Sequence, residues 1–335
     1  MARFNSSTSA SNPYIIENVF NFLRRLSCSY GTILLCFASI SFVVNILILR
    51  VYIKSRTLRR MQDILLAILS VVSIYISLAV PFYMSYMIFP SYVMVHKVPC
   101  LLFGSLVQSG IMTSSFVLLS LGFERYFFIT QPFTVLEVPI KRLCFLIFGV
   151  FILFTILGTL PVMGYNYWDT TRFCQRLVFP KTYYTINQIL ALSSVGITTF
   201  CHLWTLKVAL KHIQQIAKVE ENLRRVCNNR DSLFPKRERH AMFTVGSILL
   251  VYLMCYLPHY TVAVLTSTTK DRNLEVLRLV AFGVLISNSL VSPLIYAKSS
   301  RRFMNQARVL FCNVPDEYRA QFQRSIVSEL QTRSS

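Results

Sequence analysis

The sequence predicts an all-α membrane protein, a seven-transmembrane helix bundle followed by a short amphipathic helix 8. Hydrophobic residues make up 54% of the 335 residues and charged residues 14%, whereas soluble domains contain roughly 45–50% and about 25%. Apolar segments of about 20 residues or more recur along the chain. Because these segments are longer than barrel strands and do not alternate, they indicate helices, which satisfy the backbone inside lipid.

The positive charge of the chain is concentrated in particular loops. The net charge is +20, which in a soluble protein would favour nucleic-acid binding, but no nucleic acid is expected as a partner here. Four bases lie in the segment 54–60 and eight in the segment 211–240. By the positive-inside rule both segments are cytoplasmic, so the N-terminus is extracellular. The expected location is the plasma membrane, in a multi-pass arrangement within the lipid bilayer.

The apolar segments place the seven helices at 33–52, 63–88, 100–129, 143–164, 184–210, 242–267 and 274–297. The first helix is expected to act as its own insertion signal, because the Ser-rich N-terminus has no apolar core typical of a cleavable signal peptide. Pro81 is expected to kink the second helix. Pro161 lies near the end of the fourth helix, and the fifth is the least hydrophobic.

The domain prediction has three parts. Residues 1–29 form an extracellular N-terminal tail, residues 30–298 the seven-transmembrane domain, and residues 299–335 an amphipathic helix with a cytoplasmic tail. In the last part, apolar residues and arginines lie mostly on different sides of a helix, which is typical of a helix on the inner leaflet. Asn5 begins a glycosylation sequon, and Cys312 is a candidate for lipidation.

The third predicted helix has a thiol at one end and a charged group at the other. From Cys100 to Arg125 its 25 steps rise about 37 Å, more than the hydrocarbon thickness of about 30 Å. The two residues therefore reach opposite sides of the membrane near one helix face. One hydrophobic anchor that ends in a charge would show the same pattern, but the other six segments argue against that interpretation.

Short motifs along the chain resemble, in order and spacing, those of rhodopsin-like (class A) G-protein-coupled receptors. Glu124-Arg125-Tyr126 is similar to the family's acidic-Arg-Tyr signature, and Cys100 lies 25 residues before the arginine, as in the family. The other matches are Asn45 in the first helix, Cys255-Tyr256-Leu257-Pro258 (similar to Cys-Trp-x-Pro) and Ser292-Pro293-Leu294-Ile295-Tyr296 (similar to Asn-Pro-x-x-Tyr). The resemblance covers residues 30 to 312.

This resemblance implies a receptor that binds a small molecule and activates a heterotrimeric G protein, with no cofactor. It also implies a disulfide between Cys100 and Cys174 and a switch at the inner end of the bundle. The switch residues are Glu124, Arg125, Tyr126, Glu238 and Tyr296. Glu238 either bridges to Arg125 or pairs with neighbouring bases and solvent.

Further implied roles concern the middle of the membrane. Tyr256, Pro258 and Pro293 are the hinge residues, since each proline removes a backbone hydrogen bond and weakens its helix; such kinks are also often only structural. The polar core comprises Asn45, Ser73, Ser114, Asn288 and Ser292. Ser73 and Ser292 replace the family's Asp and Asn, so we expect hydrogen-bonded water there and no metal ion.

The ligand pocket implied for the outer half of the bundle comprises Val107, Gln108, Met112, His259, Tyr260 and Arg278. Val107 stands where amine receptors carry an Asp, which disfavours biogenic amines. Arg278 and His259 are suited to receive a carboxylate or phosphate; alternatively, Arg278 reaches the outer surface and His259 bonds a neighbouring helix. Tyr256 is common at its place in odorant receptors, which favours an odorant-like ligand, although other odorant-receptor signatures are missing.

These residues fit other functions less well. A transporter or channel would need ionisable groups in the helix centres, and few are present. An enzyme is not expected, because the chain has no HExxH, GxSxG or GxxxxGK motif. A receptor-like protein that recognises a lipid or carboxylate, or that does not signal, is the remaining alternative. It is suggested by the departures from the family pattern, which also include a missing Trp in the fourth helix and a missing Pro in the fifth.

Overall fold

Every secondary-structure element that the structure describes is a helix, which confirms the predicted all-α fold class. The structure is a computed structural model that describes residues 13–55, 61–88, 96–130, 140–171, 178–227, 236–268 and 272–311. Within these ranges the side chains of some residues, including all of 13–28, lie outside the description.

Eight helices longer than one turn follow one another in the described ranges. They are α1 (Pro13–Lys54), α2 (Met61–Ile88), α3 (Lys97–Thr130), α4 (Ile140–Thr159), α5 (Lys181–Cys227), α6 (Lys236–Thr268), α7 (Arg272–Ser299) and α8 (Arg301–Phe311). A one-turn helix at Trp168–Thr171 lies between α4 and α5. We call the end of the bundle that holds Cys100 the outer end and the end that holds Glu124 the inner end.

Three helices clearly extend beyond their apolar segments. α1 begins at Pro13 rather than at residue 33. α5 continues to Cys227 and α6 begins at Lys236, so the prediction of a loop over 211–240 was wrong for its first and last parts. Apolar length marks only the part of a helix that lies in lipid, whereas the polar residues 211–227, rich in Lys, Gln, Glu and Arg, are strong helix formers in water.

Among the described residues, five helices are long and apolar enough to cross a membrane. They are Ser29–Lys54, Met61–Phe82, Lys97–Glu124, Lys181–Val208 and Val276–Lys298. Shorter apolar helices lie at Cys144–Thr159 and Leu250–Thr266, inside α4 and α6. Together these seven segments correspond to the seven spans that the sequence predicts.

Six of the seven long helices form a closed ring in the order α1, α2, α3, α5, α6 and α7, in which each packs on the next and α7 packs on α1. α4 packs on α3. α3 also reaches α6 through a hydrogen bond between Ser115 and Tyr252. α8 follows α7 and returns to α1, where buried Phe303 meets Tyr52 with ring centroids 5.2 Å apart. This contact fits the predicted amphipathic helix at the end of the bundle.

Small residues allow α3 and α4 to approach closely, as is usual for membrane helices. A Cβ atom added to Gly158 of α4 would lie 2.9 Å from the carbonyl oxygen of Ser105 in α3. Gly149, on the same helix, has nothing within 4 Å of the corresponding position. The close contact between the backbones of α3 and α4 at Gly158 is therefore possible only because glycine has no side chain.

We expect Gly158→Ala to lower the thermal unfolding midpoint in detergent, because the new methyl group must push α3 and α4 apart at a cost of about 1–3 kcal/mol. Gly149→Ala is the matched control on the same helix and should leave the midpoint unchanged or raise it slightly, since Ala favours helix by roughly 0.5–1 kcal/mol. Equal midpoints for the two variants would contradict the close approach.

Candidate functional site

The outer half of the bundle brings most of the predicted pocket residues together. Val107 and Met112 of α3 and Tyr260 of α6 are buried in one apolar cluster. His259 packs against Tyr260 and against Phe282 of α7, with ring centroids 5.3 and 5.7 Å apart. These contacts join α3, α6 and α7 around one region.

The polar groups of this region lie at its edge. Gln108 is half-buried next to Val107, and Arg278 is half-buried on α7. Arg278 is close enough to His259 to act on it electrostatically. The His259 Nδ1 atom is buried and has no hydrogen-bond partner among the described residues. The region thus combines apolar walls with a basic side and an unused imidazole nitrogen.

Below this region three tyrosines, Tyr260, Tyr256 and Tyr252, form a row along one face of α6, four residues apart. The centroids of Tyr260 and Tyr256 are 6.3 Å apart, and those of Tyr256 and Tyr252 are 4.4 Å apart. All three rings are almost completely buried. We call them the tyrosine row.

The tyrosine row ends in a set of hydroxyl groups from three helices. Ser115 of α3 lies 2.9 Å from the Tyr252 hydroxyl and 3.0 Å from Ser194 Oγ of α5. Ser115 thus bonds to both neighbours at once. We call Ser115, Ser194 and Tyr252 the hydroxyl triad, and it ties α3, α5 and α6 together in the middle of the bundle.

The predicted polar core is buried, and each of its five residues is at most 2% exposed. The Ser292 hydroxyl donates to Asn288 Oδ1 at 2.5 Å, and Asn288 Nδ2 donates to the Tyr256 hydroxyl at 3.3 Å. Tyr256 is therefore bonded to α7 as well as stacked within the tyrosine row. The polar core and the row form one connected structure.

Asn45 of α1 bonds both within its own helix and to α7. Its Nδ2 donates to the carbonyl oxygens of Ser41 and Ser289, at 2.8 and 3.0 Å. Ser41 and Ser289 also bond through their hydroxyls at 3.1 Å. These bonds hold α1 against α7.

Three buried oxygens of the polar core have no hydrogen-bond partner among the described residues: Asn45 Oδ1, Ser73 Oγ and Ser114 Oγ. Ser114 lies near the Tyr256 hydroxyl, but the two groups do not reach hydrogen-bond geometry. An unsatisfied buried polar group costs about 1–3 kcal/mol. Water suits such a polar site, and the expectation of water without an ion stays a prediction.

The switch residues at the inner end are only partly described. Glu124 and Tyr126 are half-buried, and Tyr296 is buried in the main apolar cluster. The side chains of Arg125 and Glu238 lie outside the described residues, so the bridge between them stays a prediction. Pro258 and Pro293 both lie inside helices, α6 and α7, where a hinge role also stays a prediction.

The outer end of α3 holds Cys100 against Trp168 and Val178, both from the segment between α4 and α5. Cys100 is not among the free cysteines of the described residues, which are Cys36, Cys144, Cys201 and Cys255. Cys174 lies outside the described residues, as do Asn5 and Cys312. Trp168 and Val178, which stand on either side of Cys174 in the sequence, thus both pack near Cys100.

Sequence reasoning missed the hydroxyl triad. Tyr252 lies four residues before Tyr256, and this spacing puts both rings on the same face of α6. Ser115 directly follows Ser114, which the polar core includes. Ser194 carries no comparable signal, because one serine in an apolar span usually bonds to its own helix.

Comparison with known proteins agrees with this arrangement. The family model described as "7 transmembrane receptor (rhodopsin family)" matches residues 44–296. The chain is also 26% identical over 222 residues to the histamine H2 receptor of Cavia porcellus. This match covers 64% of the present chain and 60% of that receptor, so it spans less than two thirds of the relative.

The hydroxyl triad makes a testable contribution to stability. We expect Ser115→Ala and Tyr252→Phe to be non-additive, with a coupling free energy of about 1 kcal/mol, because both remove the same hydrogen bond. Thermal unfolding of the two single variants and the double variant measures this coupling. As a control, Ser105→Ala should be additive with Tyr252→Phe, since the Ser105 hydroxyl bonds to the Leu101 carbonyl of its own helix. If the Ser115 and Tyr252 changes were as additive as the Ser105 and Tyr252 changes, the two side chains of the triad would not stabilise each other.

Proposed function

The chain belongs to the rhodopsin family of seven-transmembrane receptors, and we propose that it binds an extracellular small molecule and activates a heterotrimeric G protein. Family membership makes it a multi-pass membrane receptor rather than an enzyme. The proposal concerns what the receptor binds, how the signal crosses the membrane and which side faces the cell interior.

The observation that carries the proposal is the tyrosine row. Tyr260 lies among the pocket residues, Tyr256 bonds to Asn288 of α7, and Tyr252 bonds to Ser115 of α3. A ligand that moves Tyr260 would therefore act on contacts with α7 and α3 through packed rings. Packed cores have discrete arrangements, so a small displacement can shift the bundle between two states.

We propose that movement of α6 opens the inner end for a G-protein helix. Pro258 and Pro293 weaken α6 and α7 because each removes a backbone hydrogen bond. A bridge between Arg125 and Glu238 would keep the inner end closed until α6 moves. The bridge would contribute roughly 0–1 kcal/mol if water reaches it, which suits a switch.

We propose an extracellular N-terminus and cytoplasmic inner end. The bases of 54–60 and 211–240 support this orientation. It places Asn5 where glycosylation occurs and Cys312 at the inner leaflet, where palmitoylation occurs. It also places Cys100 and Cys174 in an oxidising environment, and we propose that these two residues are the disulfide pair.

The relative's name suggests histamine as one ligand to consider, but the described pocket argues against it. An ammonium group in an apolar pocket needs an anionic partner. Val107 and Met112 are apolar and buried, and the nearby charged side chain, Arg278, is itself a cation. We therefore propose a ligand without a positive charge.

Two ligand classes fit these residues. The buried apolar wall and the tyrosine row favour a neutral, odorant-like molecule, which is the first candidate. The pair His259 and Arg278 favours a ligand that carries a carboxylate, including a lipid acid, as the second. The two classes differ in their dependence on Arg278, because only an anion would lose an ionic contact when this residue is replaced.

Signalling is tested in cells that express the full chain, by measuring cAMP and calcium before and after addition of odorants, carboxylates, lipids and histamine. We expect a response to a neutral or anionic compound that Arg125→Ala abolishes while surface expression is kept. Arg142→Ala removes an exposed arginine from the start of α4 and should leave the response unchanged. A response that survives Arg125→Ala would contradict the switch, and complete silence of the well-expressed chain would contradict signalling.

The proposed disulfide predicts that the loss of either cysteine lowers surface expression to the same extent. Cys100→Ser, Cys174→Ser and the double variant should lose surface expression to the same extent, because removal of either sulfur breaks the same bond, typically worth about 2–5 kcal/mol. Cys144→Ser, which changes an exposed free cysteine, is the control and should behave as the natural chain. Additive losses in the double variant would argue that the two cysteines do not pair.

A further inference from the structure

The outward face of α5 changes its chemistry in a regular order along the helix. Ile186, Ile189 and Ile197 are exposed on this face, followed by Phe200 at 63% and Trp204 at 42% exposure. Lys207, Lys211 and Lys218 then follow, all of them exposed. The face thus passes from aliphatic to aromatic to basic.

These residues lie along one narrow stripe. At 3.6 residues per turn, Phe200, Trp204, Lys207, Lys211 and Lys218 fall within about 60° of one another around the helix axis. The polar groups of α5 that bond inside the bundle, such as Ser194, lie on another side. The stripe therefore faces away from the helix bundle, toward lipid and water.

The membrane span of α5 ends at Val208, which places the aromatic part of the stripe at the membrane interface. Trp is enriched at this level because its ring is apolar and its N–H is polar. Phe200 and Trp204 lie with ring centroids 5.8 Å apart, and Lys207 Nζ lies 5.5 Å from the Trp204 ring centroid. The Trp204 ring thus holds an ammonium group at the edge of the bilayer.

The positive charges of Lys207 and Lys211 are not balanced nearby in the sequence. Residues 203–215 contain no Asp or Glu, so neither Lys207 nor Lys211 can form an ion pair with a neighbour within four residues. α5 continues as a helix to Cys227, so Lys211 and Lys218 are held on a helix beyond the span. Lys211 stands about 6 Å and Lys218 about 16 Å beyond Lys207 along the axis.

We propose that Trp204, Lys207, Lys211 and Lys218 form a binding site for an anionic phospholipid whose headgroup carries additional phosphate groups. The acyl chains lie along the aliphatic part of the stripe, and the phosphodiester meets Lys207 beside Trp204. The additional phosphates extend away from the bilayer toward Lys211 and Lys218. A headgroup with one charge at the membrane surface would use only the first of these contacts.

The chain contains two tryptophans, so Trp204 can report on the lipid beside it. We would place the full-length Trp168→Phe variant in nanodiscs of phosphatidylcholine with a small fraction of brominated lipid, which quenches tryptophan fluorescence on contact. The bromine is carried either by a bisphosphorylated phosphatidylinositol, by phosphatidylserine at equal total charge, or by phosphatidylcholine. Neither signalling nor the orientation in cells enters this measurement, so its outcome is independent of the proposed receptor function.

We expect the bisphosphorylated lipid to quench Trp204 most strongly. Each lysine near anionic lipid contributes roughly a fivefold preference, so Lys207 and Lys211 together give about 25-fold enrichment beside the ring. Lys207→Gln combined with Lys211→Gln should reduce quenching to the level of brominated phosphatidylcholine. The control, Lys54→Gln with Lys298→Gln, removes the same charge from exposed inner ends of α1 and α7 and should leave quenching high.

Equal quenching by all three lipids would overturn the proposal, as would equal quenching by the two anionic lipids or quenching that the Lys207 and Lys211 changes do not reduce. If Trp168→Phe does not fold, because Trp168 packs against Cys100, the same signal is obtained as the difference between the natural chain and Trp204→Phe. A difference of zero would likewise overturn the site.

Discussion

Every polar group inside the hydrocarbon layer needs a hydrogen-bond partner, and this requirement shapes the helix bundle. Many described hydroxyl groups in the spans meet this need within their own helix. Ser70, Ser77, Thr113 and Thr155, for example, donate to the carbonyl four residues earlier. Such bonds satisfy a polar group without joining two helices. The few side chains that bond across helices therefore mark where the bundle is held by polar contacts.

Several of these crossing bonds form two connected levels. Asn45, Ser41 and Ser289 join α1 to α7, and Asn288 joins α7 to Tyr256 on α6. The hydroxyl triad then joins α6 to α3 and α5. A movement of α6 in the proposed switch must exchange the bonds of Tyr252 and Tyr256. The tyrosine row thus belongs to the helix that moves and also makes the hydrogen bonds that restrain it.

α5 carries two of the surfaces that matter for the proposals. Its inward face supplies Ser194 to the hydroxyl triad, and its outward face carries Trp204 and Lys207 toward the lipid. Because both lie on one continuous helix, a lipid headgroup that holds the inner end of α5 would also steady one partner of the triad. The proposed lipid site is therefore connected to the proposed switch through α5, although the two proposals can be tested separately.

The fold class and the family follow from the amino-acid sequence alone. Hydrophobic length predicts helices in lipid, and the motifs around Arg125, Pro258 and Pro293 occur in one order along the chain, so neither inference needs a contact between distant residues. The burial of the polar core could also be predicted from the sequence, because its residues lie in apolar spans. The inner end, with Arg125 and Glu238, stays a prediction from the motifs.

Which polar groups meet depends on how the helices pack against one another. Ser115 and Tyr252 are separated by more than a hundred residues, and their bond exists because helix packing brings α3 and α6 together beside α5. The length of α5 beyond its span was likewise not readable from hydropathy, which reports the lipid boundary and not the end of a helix. Periodicity within one helix shows which residues share a face, but helix packing sets what that face touches.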